Sequence, residues 1–125
     1  MSSTEEKLAI VTGAARGIGL ATAKMFNENG FKVAIVDKDK NEITKLSILN
    51  NNIKTFCYDI SNHDCIDKMF NSILEWHNRI DVLVNNAGIA DFGKIEVTDL
   101  NRWNDVMRTN LDGAFMCSQK SISHL

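Results

Sequence analysis

The 125-residue sequence predicts an α/β fold, in which a doubly wound parallel sheet carries helices on both faces. Short apolar runs rich in β-branched residues alternate with longer segments whose apolar residues recur at helical spacing. Glycines follow the first apolar run directly, as they do where a strand turns into a helix. No proline, internal repeat or linker interrupts this alternation, so residues 1–125 are interpreted as one domain.

The first half of the chain contains two predicted strand–helix units. Gly30 is expected to end the first helix, because glycine adopts the left-handed cap conformation at little cost. The second helix places Ile43, Leu46 and either Leu49 or Asn50 on one face. The predicted elements are strand 7–12, helix 17–29, strand 32–37 and helix 40–50.

The second half predicts two further units, which makes the order β-α-β-α-β-α-β-α. Ser61 or Asn62 is expected to cap the third helix, and Thr98 or Asp99 to open the last one. The elements are strand 54–59, a helix to about residue 77, strand 81–85 leading into a loop, and a long final helix. The third helix is expected to face inward with Ile66, Met69, Phe70, Ile73 and Leu74. The final helix carries an apolar stripe of Leu100, Trp103, Val106, Met107, Ala114 and Phe115.

Composition excludes several classes of function. A net charge of −2 gives no basic footprint for nucleic acid. The N-terminal MSSTEEK does not resemble a secretory signal, and no apolar run approaches the ~20 residues of a membrane span. The cysteines at 57, 65 and 117 form no CxxC pattern, and the three histidines are scattered. We therefore expect a cytoplasmic protein with reduced thiols and with no metal, membrane or nucleic-acid partner.

Three glycines, Gly13, Gly17 and Gly19, lie between the first predicted strand and the first helix. Glycine lets the chain turn tightly and brings backbone N–H groups close to a pyrophosphate, while the helix N-terminus adds partial positive charge. The pattern lacks the Gly-Lys-Ser/Thr of a P-loop. This placement predicts a nucleotide site, and a purely structural turn is the alternative.

Asp37 ends the second predicted strand, 18 residues after Gly19. A carboxylate at this point can accept hydrogen bonds from ribose hydroxyls. It also repels a 2′-phosphate, since unit charges ~4 Å apart interact by about 4 kcal/mol at an effective dielectric near 20. The residue thus favours NAD over NADP, although the nearby cations Arg16 and Lys38 soften this discrimination. An ordinary turn aspartate is the alternative.

Polar residues also end the third and fourth predicted strands, where open α/β sheets bind ligands. They are Asp59 and the segment NNAG at 85–88, for which a cap or a polar turn is the alternative. Asn110 lies on the apolar stripe of the last helix, so we expect it to be buried and hydrogen-bonded. A core asparagine with only a structural role would fit the same pattern.

Taken together, these residues resemble the short-chain dehydrogenase/reductase family, near its 3-oxoacyl-reductase and sugar or alcohol dehydrogenase members. The matching segments occur in family order and spacing: TGAARGIG at 12–19, Asp37, DI at 59–60, NNAG at 85–88 and TNLDGAF at 109–115. The resemblance implies a Rossmann-type fold, truncated after about four strands and four helices, with NAD as cofactor. It also implies hydride transfer between nicotinamide and an alcohol or carbonyl substrate.

The resemblance further assigns roles to individual residues. It places Gly13, Arg16, Gly17, Ile18 and Gly19 at the pyrophosphate, Asp37 at the ribose, Asp59 and Ile60 beside adenine, and Asn86, Ala87 and Gly88 along the cofactor. Asn110 matches the asparagine of the family's catalytic Asn-Ser-Tyr-Lys set, where it supports a water-linked proton relay.

The sequence departs from the family at the groups that move the proton. The family domain continues with a serine and a Tyr-x-x-x-Lys pair, whereas the only tyrosine here, Tyr58, is followed four residues later by Asn62. The chain is therefore interpreted as a cofactor-binding half that is inactive alone. A non-catalytic nucleotide-binding or interaction module is the alternative. A methyltransferase would share the glycine turn and the acidic strand end, but it has no need of NNAG or Asn110.

The fourth predicted strand, 81–85, lies at the sheet centre in the family and would be an apolar edge in this chain. Unpaired edges invite pairing with another chain. We therefore expect a homo-oligomer or self-association through this edge and the last helix.

Overall fold

Four parallel strands form the sheet in the computed structural model, which describes residues 6–46 and 50–125. Their order across the sheet is β3-β2-β1-β4, so β4 is an edge strand within this part of the chain. Ala9 in β1 lies opposite Val33 on one side and Val82 on the other. The strands are β1 (Leu8–Thr12), β2 (Lys32–Asp37), β3 (Ile53–Cys57) and β4 (Val82–Val84). The predicted doubly wound parallel sheet is confirmed.

The helices lie on both faces of this sheet and follow the predicted order. They are α1 (Gly17–Glu28), α2 (Lys40–Leu46), α3 (Ile66–Trp76), α4 (Leu100–Met107) and α5 (Ala114–Ser121). A π-helical segment, Arg108–Gly113, joins α4 to α5, so the predicted final helix contains a wider turn that periodicity did not reveal.

Two apolar cores follow from the alternation of side chains along the strands. All five residues of β1 are buried, because helices cover both faces of the sheet. Leu8 and Ile10 pack with the inward face of α3, while Val11 packs on the opposite face with Ala23 of α1 and Ile43 of α2. The predicted inward face of α3 is confirmed, with Ile66, Met69, Phe70 and Ile73 buried and Leu74 packed against them.

The ends of the helices confirm some predicted caps and correct others. Gly30 has φ +89°, as predicted for the residue that ends α1. Asp99 caps α4 by accepting the Arg102 N–H at 2.8 Å. The predicted cap of α3 was wrong. A 3₁₀ turn, His63–Cys65, precedes that helix, Asn62 makes no side-chain cap bond, and the hydroxyl of Ser61 donates to Asp59 instead.

The second helix does not extend to Asn50 as predicted. Its described residues run from Lys40 to Leu46, which packs against the core, and Asn50 is not helical. The predicted position of Leu49 falls outside the described residues.

The apolar stripe predicted for the final helix was wrong in part. Leu100, Trp103 and Phe115 are 70%, 57% and 63% exposed. Small side chains face the sheet instead, because they allow the helix to approach closely. A Cβ on Gly113 would lie 2.8 Å from Cδ1 of Ile60. The buried stripe is Thr109, Gly113, Cys117 and Ser121, at a spacing of four residues.

No helix in residues 6–46 and 50–125 is long and apolar enough to cross a bilayer. Within the same residues, no three histidine, cysteine or acidic side chains are grouped to hold a metal ion. All three cysteines are free thiols.

Candidate functional site

A cleft of about 390 Å³ opens at the carboxyl ends of the four strands. The residues that line it come from five parts of the sequence: the segments after the four strands, as expected for a parallel sheet, and Thr109 of the last helical segment. Among the residues predicted as site residues, the cleft is lined by Gly13, Arg16, Asp37, Asp59, Ile60, Asn86, Ala87 and Gly88. Lys38, expected as a nearby cation, lines it too, and sequence reasoning missed the other lining residues, Val36, Asp39, Tyr58, Ile89 and Thr109.

The turn after β1 needs glycine for two different reasons. Gly13 has φ +64°, and a Cβ there would lie 2.7 Å from the Cα of Ala87. Gly19 is packed as tightly, since its Cβ would lie 2.5 Å from both Nδ2 of Asn86 and the carbonyl of Gly13. Gly17 has φ +62° with open space around it. The glycines therefore allow the turn and the NNAG segment to touch.

The first turn of α1 offers backbone donors. The N–H of Leu20 donates to the carbonyl of Arg16, so the N–H groups of Gly17, Ile18 and Gly19 precede the helical ladder. Arg16 makes no side-chain cap bond, and the first turn holds no acidic residue. An anion suits such a helix end. The lining of the cleft does not include these three residues, and the side chain of Ile18 is 80% exposed, so their contact with a pyrophosphate stays a prediction.

Thr12 joins the glycine turn to the segment after β4. Its fully buried hydroxyl accepts the N–H of Asn86 at 3.1 Å and the N–H of Ala87 at 3.0 Å. The amide of Asn86 then donates to the carbonyl of Gly13 at 3.0 Å. Sequence reasoning did not name Thr12 as a site residue, although it is the first residue of the TGAARGIG motif. Its role is to hold two walls of the cleft in register.

The acidic wall of the cleft is built by two aspartates. One carboxylate oxygen of Asp37 accepts the N–H of Ala15 at 3.1 Å, and the other accepts the N–H of Asp39 at 2.9 Å. Asp39 in turn accepts the N–H of Glu42 at 3.2 Å and a guanidinium N–H of Arg16. The Glu42 N–H and the Arg16 guanidinium hold the pKa of the Asp39 carboxyl below its usual range.

Two predicted adenine neighbours have structural partners as well. The carboxylate of Asp59 accepts the backbone N–H of Ser61 at 3.0 Å and its hydroxyl at 2.7 Å, which is the turn arrangement considered as the alternative. Ile60 is 5% exposed and packs in the core beneath the cleft. Both residues lie at the cleft, and their contact with adenine stays a prediction.

Asn110 lies beside the cleft rather than in its lining. Its Oδ1 accepts the N–H of Ile89, and its Nδ2 donates to the carbonyl of Ile89, both at 2.8 Å. The expected hydrogen-bond partners are therefore confirmed, but the expected burial was wrong, because Asn110 is exposed. The neighbouring Thr109 takes the inward position, 7% exposed, as part of the small-residue stripe.

Tyr58 lies at the edge of the cleft, with its hydroxyl 3.2 Å from Oγ of Ser72 in α3. The cleft thus combines the carboxylates of Asp37, Asp39 and Asp59 and the glycine backbone at Gly13 and Gly88 with apolar walls. This combination suits the recognition of a phosphorylated, ribose-containing ligand.

Known proteins match the chain over nearly its whole length. A family model described as short chain dehydrogenase matches residues 7–125. Meso-2,3-butanediol dehydrogenase of Serratia marcescens is 32% identical over 123 residues, which are 97% of this chain and 49% of that protein. The 3-oxoacyl-[acyl-carrier-protein] reductase FabG of Staphylococcus epidermidis is 36% identical over 119 residues, with 91% and 49% covered.

A solved structure also has a similar fold. The crystal structure of 3-ketoacyl-(acyl-carrier-protein) reductase from Brucella melitensis, complexed with NADH, matches with a TM-score of 0.90 and 31% identity. The match covers 94% of this chain and 50% of that one. The chain spans about half the length of the curated relatives it matches. Because the family model matches almost every residue and the fold agrees, the chain belongs to the short-chain dehydrogenase family.

Proposed function

We propose that these residues form the cofactor-binding half of an NAD-dependent short-chain dehydrogenase that acts on an alcohol or carbonyl substrate. The observation that carries the proposal is the convergence of the glycine turn, the Asp37 carboxylate and the NNAG segment on one cleft. When NAD is bound there, its nicotinamide accepts or supplies the hydride. The similar reductase from Brucella melitensis was crystallised as a complex with NADH, which supports the same class of cofactor.

The residues present fit a dinucleotide. Gly13 and Ala87 both line the cleft, and their close packing leaves no room for a side chain at Gly13. The N–H groups at the start of α1 would hold the pyrophosphate. Asp37 would accept hydrogen bonds from the adenosine ribose, because each oxygen keeps acceptor capacity beyond its one backbone bond. The positions after β3 would flank adenine, and the NNAG segment would follow the cofactor towards its nicotinamide.

The proposal also assigns NAD rather than NADP. Asp37 lines the cleft, and its carboxylate at the ribose end would repel a 2′-phosphate, whereas the charge of Asp39 is offset by Arg16. Of the two cations considered at this end, Arg16 is paired with Asp39. That pairing reduces the degree to which Arg16 would weaken the discrimination against NADP.

We propose that the 125 residues alone bind cofactor without turnover. Moving a proton at the substrate oxygen needs a positioned acid or base, and in this chain the one tyrosine directs its hydroxyl to Ser72. We propose for Asn110 a supporting role in a proton relay, and its side chain also holds Ile89 at the cleft edge. If binding occurs without turnover, the isolated chain acts as a non-catalytic nucleotide-binding module.

Titration of the purified chain with NAD and NADP tests this proposal. Binding can be followed by calorimetry and by the fluorescence of Trp76 and Trp103, with NADH production from a panel of alcohols measured in parallel. We expect saturable binding of NAD that weakens in Asp37→Asn and is unchanged in the control Asp105→Asn, an exposed acidic residue of α4. Failure of the folded chain to bind NAD would overturn the proposal.

We further propose that the chain self-associates and resides in the cytoplasm. Within the described residues β4 pairs with β1 alone, which leaves one edge of the sheet open. Leu111, Phe115 and Ile122 are more than half exposed on the last helix, and three free thiols suit a reducing compartment. Sedimentation velocity of the chain should show dimers or larger species, and a clean monomer at every concentration would contradict self-association.

A further inference from the structure

We infer that Cys65 and Cys117 form an oxidisable pair of thiols, and that the disulfide between them would tie the start of α3 to the last helix. Cys65 directly precedes α3, and Cys117 lies in the middle of α5. Both are free thiols in this structure. The pair is a modification site outside the cleft, and the formation of the bond does not depend on which cofactor the cleft binds.

Two contacts align α3 and the turn before it with the last helix. At one end, Gly113 packs so closely on Ile60 that an added Cβ would lie 2.8 Å from Cδ1 of the isoleucine. Further along both segments, Nζ of Lys120 lies 2.7 Å from Oδ1 of Asp67. Each segment has its cysteine between these two contacts, and both run in the same direction from the first contact to the second. The two cysteines therefore occupy corresponding positions.

The surroundings of Cys117 place the two thiols near each other. Cys117 is fully buried and belongs to the same apolar cluster as Ile66, the residue that follows Cys65. Burial raises the pKa of the Cys117 thiol to about 11, and the charge of an ionised Cys65 contributes to the rise. Because the repulsion between two charges falls with distance, this contribution requires that the two thiols be neighbours.

Cys65 is the thiol that an oxidant reaches first. It is half-buried, whereas Cys117 has no exposed surface. Its thiol donates to the carbonyl of Asn62 at 3.0 Å and to the carbonyl of Asp59 at 3.4 Å. Burial and the Asp59 carboxylate raise the pKa of Cys65. Only a small fraction of Cys65 is therefore thiolate at neutral pH, so we expect oxidation over hours rather than seconds.

A small-molecule disulfide such as oxidised glutathione is the oxidant. The Cys65 thiolate attacks one of its sulfurs, which forms a mixed disulfide and releases one glutathione. Cys117 then loses its proton and attacks the Cys65 sulfur, which breaks the mixed disulfide, releases the second glutathione and joins the two cysteines. The two protein thiols lose two electrons, the oxidant gains them, and the two protons end on the two glutathione thiols. No reagent has to enter the core, because the second step is internal.

The bond would also affect the cleft, and this consequence rests on the proposed function. Asp59 lines the cleft, and its carbonyl accepts the Cys65 thiol in the reduced chain. Formation of the disulfide removes that donor and fixes the turn that leads from Asp59 to α3. We therefore expect the dissociation constant for NAD to differ by at least about twofold between the reduced and the oxidised chain.

Oxidation of the folded Cys57→Ser variant tests the pair, because this substitution removes the exposed thiol that would otherwise link two chains. After incubation with oxidised glutathione, free thiols are blocked with N-ethylmaleimide and the chain is digested without reduction. We expect mass spectrometry to show a peptide that links Cys65 to Cys117. A disulfide that closes a loop of about 50 residues should raise the melting temperature by at least about 5 °C, and dithiothreitol should reverse the rise.

Cys65→Ser and Cys117→Ala, each combined with Cys57→Ser, are the matched controls. Neither the linked peptide nor the rise in melting temperature should appear in them. Alanine suits the fully buried position of Cys117, and Cys65→Ser is a sufficient control if Cys117→Ala does not fold.

Glutathione adducts at Cys65 without a linked peptide would overturn the pair, as would a linked peptide that forms only after unfolding in urea. If the linked peptide forms and the affinity for NAD is equal in both states, only the effect on the cleft is overturned. If the reduced chain does not bind NAD, the proposed function fails, whereas the linked peptide still supports the pair.

Discussion

Asn110 and Ile89 form a closed pair, in which the side-chain amide of one residue makes two 2.8 Å hydrogen bonds to the backbone N–H and C=O of the other. The side-chain amide of Asn110 makes the pair of bonds to the Ile89 backbone that a neighbouring strand would make, at a point after the end of β4. Because Ile89 lines the cleft, this pair fixes one cleft wall against the π-helical segment of the last helix.

Replacing Asn110 by alanine should therefore loosen this wall. Both hydrogen bonds are lost, and since Asn110 is exposed, water partly replaces them. We expect the free energy of unfolding to fall by about 1–2 kcal/mol. Urea denaturation measures the change, and Asn104→Ala on the exposed face of α4 is the control that should remain close to wild type. Equal stability of the two variants would contradict a holding role for Asn110.

Gly13 and Gly17 offer a comparison of strain with steric overlap. Both have φ near +60°, where alanine is strained by about 1–2 kcal/mol. Only Gly13 has a neighbour in the way, since its added Cβ would meet the backbone of Ala87. Gly13→Ala should thus lower the free energy of unfolding clearly more than Gly17→Ala does, and it should weaken NAD binding as well. Thermal unfolding and NAD titration of the two variants test this order, which a similar cost at both positions would refute.

Thr12→Val should be costly although the two side chains have nearly the same shape. The buried hydroxyl accepts two N–H groups, those of Asn86 and Ala87, and valine offers them no acceptor. We expect a loss of about 2–3 kcal/mol in the free energy of unfolding. Thr22→Val is the control, because that exposed hydroxyl bonds only within its own helix, to the carbonyl of Ile18. A loss in Thr12→Val no larger than in this control would show that the hydroxyl does not hold the cleft walls.

Asp81 should contribute to acid sensitivity. The Arg79 guanidinium and the Leu8 N–H, which its carboxylate accepts at 2.8 Å, hold the pKa of Asp81 below its ordinary value of 3.8. A pKa lowered on folding gives stability that is present above 3.8 and is lost as the pH falls towards the lowered value. The stability difference between wild type and Asp81→Asn should therefore shrink between about pH 7 and about pH 3. Asp105→Asn is the control, and a difference independent of pH would contradict the prediction.

The three thiols should react in a fixed order with a thiol reagent such as DTNB. Burial raises the pKa of the Cys117 thiol to about 11, with Cys65 adding a smaller effect, and its side chain is fully buried. Cys57 is exposed and should react first. Cys57→Ser should remove the fast phase, and Cys117→Ser should leave it unchanged. Rapid labelling of Cys117 in the folded chain would be incompatible with this packing.

Most of the fold could be predicted because it depends on local patterns. A continuous apolar run such as β1 is sufficient to indicate a strand covered on both faces, and Gly30 is sufficient to indicate the end of α1. The final helix was harder. Periodicity predicts that the largest apolar side chains face inward. In the structure the stripe through Gly113 and Cys117 faces inward instead, because small side chains let the helix approach Ile60.

In the candidate site too, some residues could be predicted from local patterns and others could not. Motif spacing was enough to identify Gly13, Asp37 and Asn86, because each follows a strand and the carboxyl ends of parallel strands meet at one edge. Sequence reasoning did not find Asp39 or Thr12, since their importance lies in which partners they contact across the cleft.

The amino-acid sequence by itself determined the order of strands and helices, the parallel sheet and most of the residues that line the candidate cleft. Hydrophobic periodicity and glycine conformations act over a few residues, so they can be read along the chain. Only the tertiary structure decided that Arg16 pairs with Asp39, that Asn110 is exposed and tied to Ile89, and that the last helix packs by its small residues. These are contacts between residues far apart in sequence, and no local pattern encodes which donor meets which acceptor once the sheet has assembled.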